Sequence, residues 1–378
     1  VTATLRVIVD QMLAPVPGGI GRYTEELTRE LISTAPRGCE VEAIISAHPH
    51  DKDEELRQRL PGLADIHRLP LGRRELSRAW QYGIGIPPVG GMVHAPSLFA
   101  PLRQHDIREG DQIAVTIHDA VPWTHPETLT THGAKWHRAM AKRARKYADA
   151  IVVPTHAVAQ QLTEVLDIGS RIRVIGGAVG SGLVLPDDAE ERARALNLPS
   201  EYVLSVGTLE PRKGVLPLIT AFGGAGAPEI PLLLVGPAGW GDLDVASVRA
   251  EQGLDETRVR CLGVLDDADL AVVLDRATVF VYPSLAEGFG LPLLEAMHFG
   301  VPVVHSDDPA LLEVASEAGV AVERAVAKDY PERLAQAIGD LLADDDLRER
   351  LAVAGRDRSR AFSWRDSAER VWALHADL

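Results

Sequence analysis

Four consecutive apolar residues, Val279-Phe280-Val281-Tyr282, lead into a glycine-bearing stretch and then a helical pattern, and this succession constrains the chain more than any other feature. A short, unbroken apolar run of this kind belongs to a strand covered on both faces, which means a parallel sheet packed with helices. The residues after it include Glu287-Gly288-Phe289-Gly290-Leu291-Pro292-Leu293-Leu294-Glu295. Pro292 suits the first turn of a helix continuing through Ala296-Met297-His298-Phe299. The order is strand, glycine loop, helix N-terminus, with a carboxylate at each end of the loop. Gly288 and Gly290 let the backbone approach a ligand without a Cβ in the way. The N–H groups near Phe289, Gly290 and Leu291 precede the first helical hydrogen bonds and have no internal partners. The stretch predicts a phosphate cradle beyond the carboxyl end of a strand, where open α/β sheets bind ligands.

Two glutamates beside a phosphate repel it unless each faces something else. Sugar hydroxyls are suitable partners, because a carboxylate accepts from two at once. A nucleotide-sugar, with its diphosphate between two polyhydroxylated rings, fits both demands. Glu287 and Glu295, with seven residues between them and Gly-Phe-Gly inside, resemble the paired-glutamate motif of retaining glycosyltransferases of family 4. The resemblance runs from Pro17-Gly18-Gly19 to Phe362-Ser363-Trp364. It implies the GT-B fold: two Rossmann-like α/β domains facing each other across a deep cleft, with a C-terminal helix crossing back to the first. The expected N-terminal acceptor domain is 1–182 with 362–378 added, and the nucleotide-sugar domain is 183–361.

Composition agrees with that plan. At 378 residues the chain exceeds the size at which one core stops growing. Its 46% hydrophobic and 25% charged residues are ordinary for a soluble protein. Two cysteines, Cys39 and Cys261, are too few for a disulfide framework or a cysteine metal site. No apolar run reaches a membrane span and the first residues lack a signal-peptide layout, so a cytoplasmic setting is expected. A net charge of −15 argues against a nucleic-acid partner.

The strand–loop–helix unit recurs along the chain. Leu5 to Asp10 reads as the first strand, Pro17 to Gly21 as a glycine loop, and Arg22 to Leu31 as an amphipathic helix. Val41 to Ile45 reads as a strand, Asp51 to Arg59 as a solvated helix or loop, and Gly91 to Pro96 as a short strand leaving the sheet. Arg68, Arg73, Arg74 and Arg78 read as scattered surface arginines. Gln112 to Ile117 is a buried strand with His118-Asp119 at its carboxyl end. Lys135 to Tyr147 is helical, with Lys135, Arg138, Lys142, Arg145 and Lys146 largely on one face; a solvated face, with Arg145 and Lys146 near the helix C-terminus, is the favoured reading, and peripheral contact with anionic lipid is the alternative. Gly176 to Pro199 reads as a linker with a short helix. Tyr202 to Gly207 opens a second α/β series, and Thr208-Leu209-Glu210-Pro211-Arg212-Lys213-Gly214 runs into a helix. The strand Ile230 to Val235 closes on Gly236, counted with the nucleotide-binding glycines. Asp242-Leu243-Asp244, in a glycine-rich loop, reads as a chance D-x-D.

The resemblance assigns roles residue by residue. Gly18 and Gly19 match the family's N-terminal glycine loop, where donor and acceptor meet. His118 matches the histidine that contacts the transferred sugar, and Arg212 with Lys213 match the basic pair on the nucleotide diphosphate. The family often carries arginine where this chain has Thr208, which is left out of the charged set. Glu287 is expected on hydroxyls of the donor sugar and Glu295 on the ribose. Asp266 borders the nucleobase, where it can accept from guanine N1 and N2. The segments His118 to Trp123 and Gly207 to Lys213 look most like bacterial mannosyltransferases of this family. GDP-mannose is therefore the expected donor, with a UDP-sugar as alternative and a glycan, glycolipid or polyol as acceptor. Retention is likewise implied by the resemblance, while two cations and a helix N-terminus can replace a metal, so no metal or other cofactor is required. A nucleotide-sugar epimerase and a non-catalytic nucleotide-binding protein are rival readings of the same fold. A dinucleotide-dependent oxidoreductase is disfavoured, because Gly18-Gly19-Ile20-Gly21 lacks the G-x-G-x-x-G spacing.

Overall fold

A computed structural model describes residues 3–49, 51–85, 90–224, 226–239 and 244–378. The chain divides into two compact units, Val1–Gly177 with Ser363–Leu378, and Ala178–Phe362. Each is a parallel sheet wrapped by helices, the doubly wound α/β class expected from the apolar runs.

In the first unit the strands are β1 (Ala3–Ile8), β2 (Cys39–Ile45), β3 (Ile66–Arg68), β4 (Met92–Ala95), β5 (Gln112–Thr116), β6 (Ala150–Val153) and β7 (Ile172–Val174). Their order is β3-β2-β1-β4-β5-β6-β7. The chain builds outward from β1 to β3, then returns to lay β4 on the other side of β1. The carboxyl ends of β1 and β4 therefore flank the point where the winding reverses, the place where open sheets leave a crevice. Val93, Ala95, Ile113, Val115, Ile151 and Val153 share one core cluster, while Val7, Ala43, Ala114 and Val152 are buried as well. Period-2 strands with both faces buried explain the unbroken apolar runs.

In the second unit β8 (Val203–Val206), β9 (Leu232–Val235), β10 (Val259–Gly263), β11 (Val279–Tyr282), β12 (Val303–Ser306) and β13 (Val320–Val322) take the order β10-β9-β8-β11-β12-β13. Phe280 and Tyr282 enter one core cluster, and Val279 and Val281 enter the cluster on the opposite face. The reversal here falls between β8 and β11.

The helix Trp364–Asp377 belongs to the first unit, in the crossing-back sense expected. Trp372 Nε1 donates to the Leu31 carbonyl at 3.1 Å, and Ser367 Oγ donates to the Gly176 carbonyl at 2.9 Å.

Three local expectations need correction. Gly91 to Pro96 does not leave the sheet: β4 lies in its middle, hydrogen-bonded to both β1 and β5. Pro17 to Gly21 is not a free loop, because the helix already begins at Gly18 and runs to Ser33. Gly21 is held there by packing, since a Cβ would stand 2.3 Å from Pro17 Cβ. Thr208 to Gly214 does not run straight into a helix: a 3-10 turn, Pro211–Lys213, precedes Gly214 at φ +70°. Of the D-x-D triplet, Asp242 and Leu243 lie outside the described residues. Asp244 caps the helix Val245–Glu251 by accepting from the Ala246 N–H.

Candidate active site

The carboxyl ends of β8 and β11 bring the basic pair and the first glutamate together. Lys213 Nζ lies 2.6 Å from Glu287 Oε1 and donates to the Tyr282 hydroxyl at 3.1 Å. Ser284 Oγ donates to the same Glu287 oxygen at 2.6 Å. Arg212 reaches Glu287 Oε2 at 3.7 Å, donates to the Ala286 carbonyl at 2.7 Å, and pairs with Glu210 at 2.8 Å. Burial pushes the Glu287 carboxyl up, but the charges of Lys213 and Arg212 outweigh it and hold the group below the ordinary carboxylate range. Glu287 is therefore a buried carboxylate, with Oε1 engaged by Lys213 and Ser284 and Oε2 facing a guanidinium.

Close backbone approach fixes this cluster. A Cβ on Gly214 would stand 2.1 Å from the Pro283 carbonyl oxygen, so the turn carrying Arg212 and Lys213 presses directly on the segment leaving β11. The Leu285 N–H donates to the Arg212 carbonyl at 2.8 Å across the same contact. Gly290, at φ +92°, opens the helix Leu291–Phe299, and a Cβ there would meet Leu311 at 2.5 Å. The N–H groups of Leu293 and Leu294 turn back to the Gly290 carbonyl. Those of Phe289, Gly290 and Leu291 have no partner among the described residues, so the helix start offers backbone donors without a side-chain cap.

Glu295 is buried on that helix. The Tyr282 hydroxyl is pushed well above its usual range, first by burial and then by the Glu287 charge, with Glu295 adding in the same sense. Phe289 contributes backbone only, because its ring is buried edge-on to Phe362 at 5.5 Å. Gly288 is buried between Glu287 and Phe289. Gly236, at φ +142°, is required by the close approach of β9 to β8: a Cβ would lie 2.0 Å from the Gly207 carbonyl oxygen. Asp266 spends Oδ1 capping the helix Asp267–Asp275, while its other oxygen lies 3.9 Å from Arg192.

Several participants of the cluster escape sequence reading. Tyr282 reads only as a strand residue, yet its hydroxyl steadies Lys213. Asp308 caps the helix Pro309–Ala315 at the Ala310 N–H, 2.9 Å, with its other oxygen 3.4 Å from the Glu287 N–H. Burial raises its carboxyl to about 6; Arg324 opposes the shift and Glu287 adds to it.

In the first unit His118 follows β5 and its Nε2 lies 2.7 Å from the Pro96 carbonyl oxygen, beyond β4. Burial lowers its pKa against the hydrogen bond to Pro96, so the ring is neutral, donates from Nε2 and presents Nδ1 as an acceptor. Tyr23 packs edge-on to this ring at 4.8 Å. His118 lines a cavity of about 460 Å³ together with Gln11, Arg73, Phe99, Trp123 and Trp136. Arg73 is thus no scattered surface arginine. It lies 2.5 Å from the fully buried Asp10, reaches Gln11 Oε1, and stacks over the Phe99 ring at 4.8 Å. Its ion-pair and hydrogen-bond partners, Asp10 and Gln11, lie more than sixty residues away in sequence, so no local pattern marks it. Gly18 opens its helix at φ +61°; neither Gly18 nor Gly19 would bring a Cβ within 4 Å of anything.

Lys135, Lys142, Arg145 and Lys146 are exposed on the helix Thr131–Tyr147, whereas Arg138 donates to the Pro122 carbonyl at 2.7 Å. Among the described residues, no helix is long and apolar enough to cross a membrane, and no group of three His, Cys, Asp or Glu is placed to hold a metal ion.

Comparison with known proteins covers both units. The family model described as Glycosyl transferases group 1 matches residues 187–358, and that described as Glycosyltransferase Family 4 matches residues 17–180. The O-antigen chain mannosyltransferase B of Escherichia coli is 30% identical over 376 residues, covering 92% of each chain. The MMP alpha-(1->4)-mannosyltransferase of Mycolicibacterium hassiacum is 28% identical, covering 95% of this chain and 94% of its own. Among solved structures, sucrose-phosphate synthase from Thermosynechococcus elongatus superposes with a TM-score of 0.75 at 23% identity, covering 99% of this chain and 98% of its own.

Proposed function

This chain belongs to the group 1 and family 4 glycosyltransferases, of GT-B fold, and from that premise we propose that it transfers mannose from GDP-mannose to a hydroxyl of a glycan or glycolipid acceptor. The observation that carries the reading is the Arg212–Lys213–Glu287 cluster at the winding reversal of the second sheet. The mannosyl assignment is supported by the two full-length relatives, whose names specify that sugar.

The chemistry follows from the partners. Lys213 has three N–H donors, two of them engaged by Glu287 and Tyr282, which leaves one for a diphosphate oxygen. Arg212 stands beside it, and the N–H groups of Phe289, Gly290 and Leu291 add neutral donors. As the bond from the anomeric carbon to the β-phosphate oxygen breaks, its electron pair goes to the diphosphate, where these groups stabilise it. The acceptor oxygen bonds to the anomeric carbon, and its proton passes to the departing phosphate. Glu287 Oε2 accepts from hydroxyls of the mannose, and Glu295 from the ribose. In the first unit, neutral His118 offers Nδ1 to a sugar hydroxyl. With the leaving phosphate as base, attack comes from the same face and the anomeric configuration is retained. No step draws on a metal or other cofactor. The exposed Lys135, Lys142, Arg145 and Lys146 suit peripheral contact with an anionic lipid surface on the cytoplasmic side.

The test is turnover of GDP-mannose and of UDP-glucose by the purified chain, with mannoside acceptors and NMR of the product. Mannose transfer with an α-anomeric signal is expected. Turnover of the UDP-sugar alone overturns the donor assignment, and an inverted product overturns the mechanism.

A further inference from the structure

A buried carboxylate beside the proposed diphosphate site, Glu210, takes no part in the transfer chemistry. The turn fixes its place. Its N–H donates to the Thr208 carbonyl at 2.8 Å, and the Lys213 N–H donates to the Glu210 carbonyl at 3.0 Å. Pro211 sets the next φ, and the chain tightens into the 3-10 turn Pro211–Lys213. On its other side Gly239 packs so closely that a Cβ there would stand 2.9 Å from Glu210 Cβ. The side chain is thereby brought onto Arg212, two residues on, whose Nη2 donates to Glu210 Oε1 at 2.8 Å. Nη1 of the same guanidinium donates to the Ala286 carbonyl at 2.7 Å and faces Glu287 Oε2 at 3.7 Å. Arg212 is held at both amino groups before any ligand arrives.

The charges of the cluster balance without a ligand. Glu210 pairs with Arg212 at 2.8 Å, and Glu287 pairs with Lys213 at 2.6 Å. Arg324, which donates to the Leu285 carbonyl, is matched in the same way by Asp307 and Asp308. Glu287 has the donor sugar to hold, but Glu210 needs another reason to be charged. A neutral amide oxygen in its place would anchor the guanidinium with the same hydrogen bond. What the carboxylate adds is a negative charge against the cation that meets the diphosphate, and in a site partly withdrawn from water this offsets much of the attraction Arg212 exerts on a phosphate. Taking the cluster as a diphosphate site, the reading on which this step rests, we propose that Glu210 is a positioning residue with two effects. It holds Arg212 in place for the diphosphate, and it weakens nucleoside diphosphate binding so that the product leaves instead of being trapped.

The test is calorimetric titration of the whole chain and of Glu210→Gln with GDP and UDP, and with guanosine and uridine, alongside stopped-flow release of the diphosphates. Glutamine keeps an oxygen towards Arg212 and drops the charge. The variant should fold as the wild type does, bind the nucleoside diphosphate at least about tenfold more tightly and release it correspondingly more slowly. The parent nucleoside, which brings no phosphate, should bind both proteins equally. In Glu210→Gln combined with Arg212→Gln the gain should vanish, because the cation it exposes is gone. An unchanged or weaker diphosphate affinity, an equal gain for the nucleoside, or a gain that persists in the double variant each overturns the proposal. So does a Glu210→Gln chain that fails to fold, since a charge the fold requires is structural. If neither GDP nor UDP binds wild type or variant, the diphosphate reading falls and takes Glu210's role with it. Binding to the wild type that the exchange does not tighten unseats Glu210's role alone.

Discussion

Lys213 Nζ and Glu287 Oε1 form a 2.6 Å ion pair at the carboxyl ends of two adjacent strands, β8 and β11, whose side chains are only 16% and 8% exposed. A pair this enclosed is held together by the penalty of breaking it. The same two residues face the diphosphate and the sugar in the proposed complex, so stability and activity are coupled here.

Removing one partner should therefore cost more than removing both. Lys213→Met leaves the Glu287 carboxylate buried with the Ser284 hydroxyl and, as a cation, the more distant Arg212, and should destabilise by about 3 kcal/mol. The double variant Lys213→Met with Glu287→Gln should recover at least half of that loss, while both lack transfer. Urea unfolding measures this. A double variant whose loss is the sum of the two single losses would show that the pair is not coupled.

Gly214 should tolerate no side chain. Its φ of +70° costs an L-residue about 1–2 kcal/mol, and the Pro283 carbonyl occupies the space a Cβ needs. Gly214→Ala should lower stability by about 2 kcal/mol or more and weaken donor binding by displacing Lys213. Wild-type unfolding together with wild-type donor affinity would refute the close-approach account.

The buried pair His94 and His375, rings 5.6 Å apart, should make the protein acid-sensitive. Burial lowers His94 to about 3 and His375 to about 4, the latter opposed by Asp149. Between the unfolded value near 6.5 and these folded values, the unfolded chain binds more protons, so stability is full above about pH 6.5 and falls as pH drops. The expected slope is about 1.4 kcal/mol per pH unit for each histidine. Among the described residues neither His94 ring nitrogen has a partner, so His94→Leu should be at least as stable at pH 7 and should lower the slope by about 1.4 kcal/mol per pH unit. Unfolding of both proteins from pH 7 to pH 5 decides it; an unchanged slope in the variant would exclude His94 as its source.

The pH profile of transfer follows from His118. The acceptor role proposed for its Nδ1 needs the neutral ring, and burial lowers the ring below the ordinary histidine value. The acid limb of kcat/KM should therefore lie below that value, with activity flat above it. An acid limb at the ordinary histidine value would show that the ring titrates as if exposed.

Much of this architecture is legible in the chain because burial on both faces writes long apolar runs. Val279 to Tyr282 reads as a strand for the same reason that it sends alternate residues into two core clusters. β4 is harder to place because His94 interrupts its apolar pattern, and β3 and β13, three residues each, are too short to show a period. Arg212, Lys213 and Glu287 are visible because each stands at a strand–turn junction. Arg73 and Asp308 are not, since what places them is a distant partner. Phe289 and Gly236 show a different limit: their residue types answer to packing as well as to any ligand.

The central claim, that a sugar diphosphate is gripped by Lys213 beside Glu287, is tested most directly by ligand-dependent unfolding of the wild type and Lys213→Met. At about 100 times its dissociation constant, GDP-mannose should add about 2.7 kcal/mol to the wild type, and at the same concentration under 1 kcal/mol to the variant. Equal stabilisation of both proteins, or stabilisation of the wild type by NAD and by no nucleotide-sugar, would contradict it.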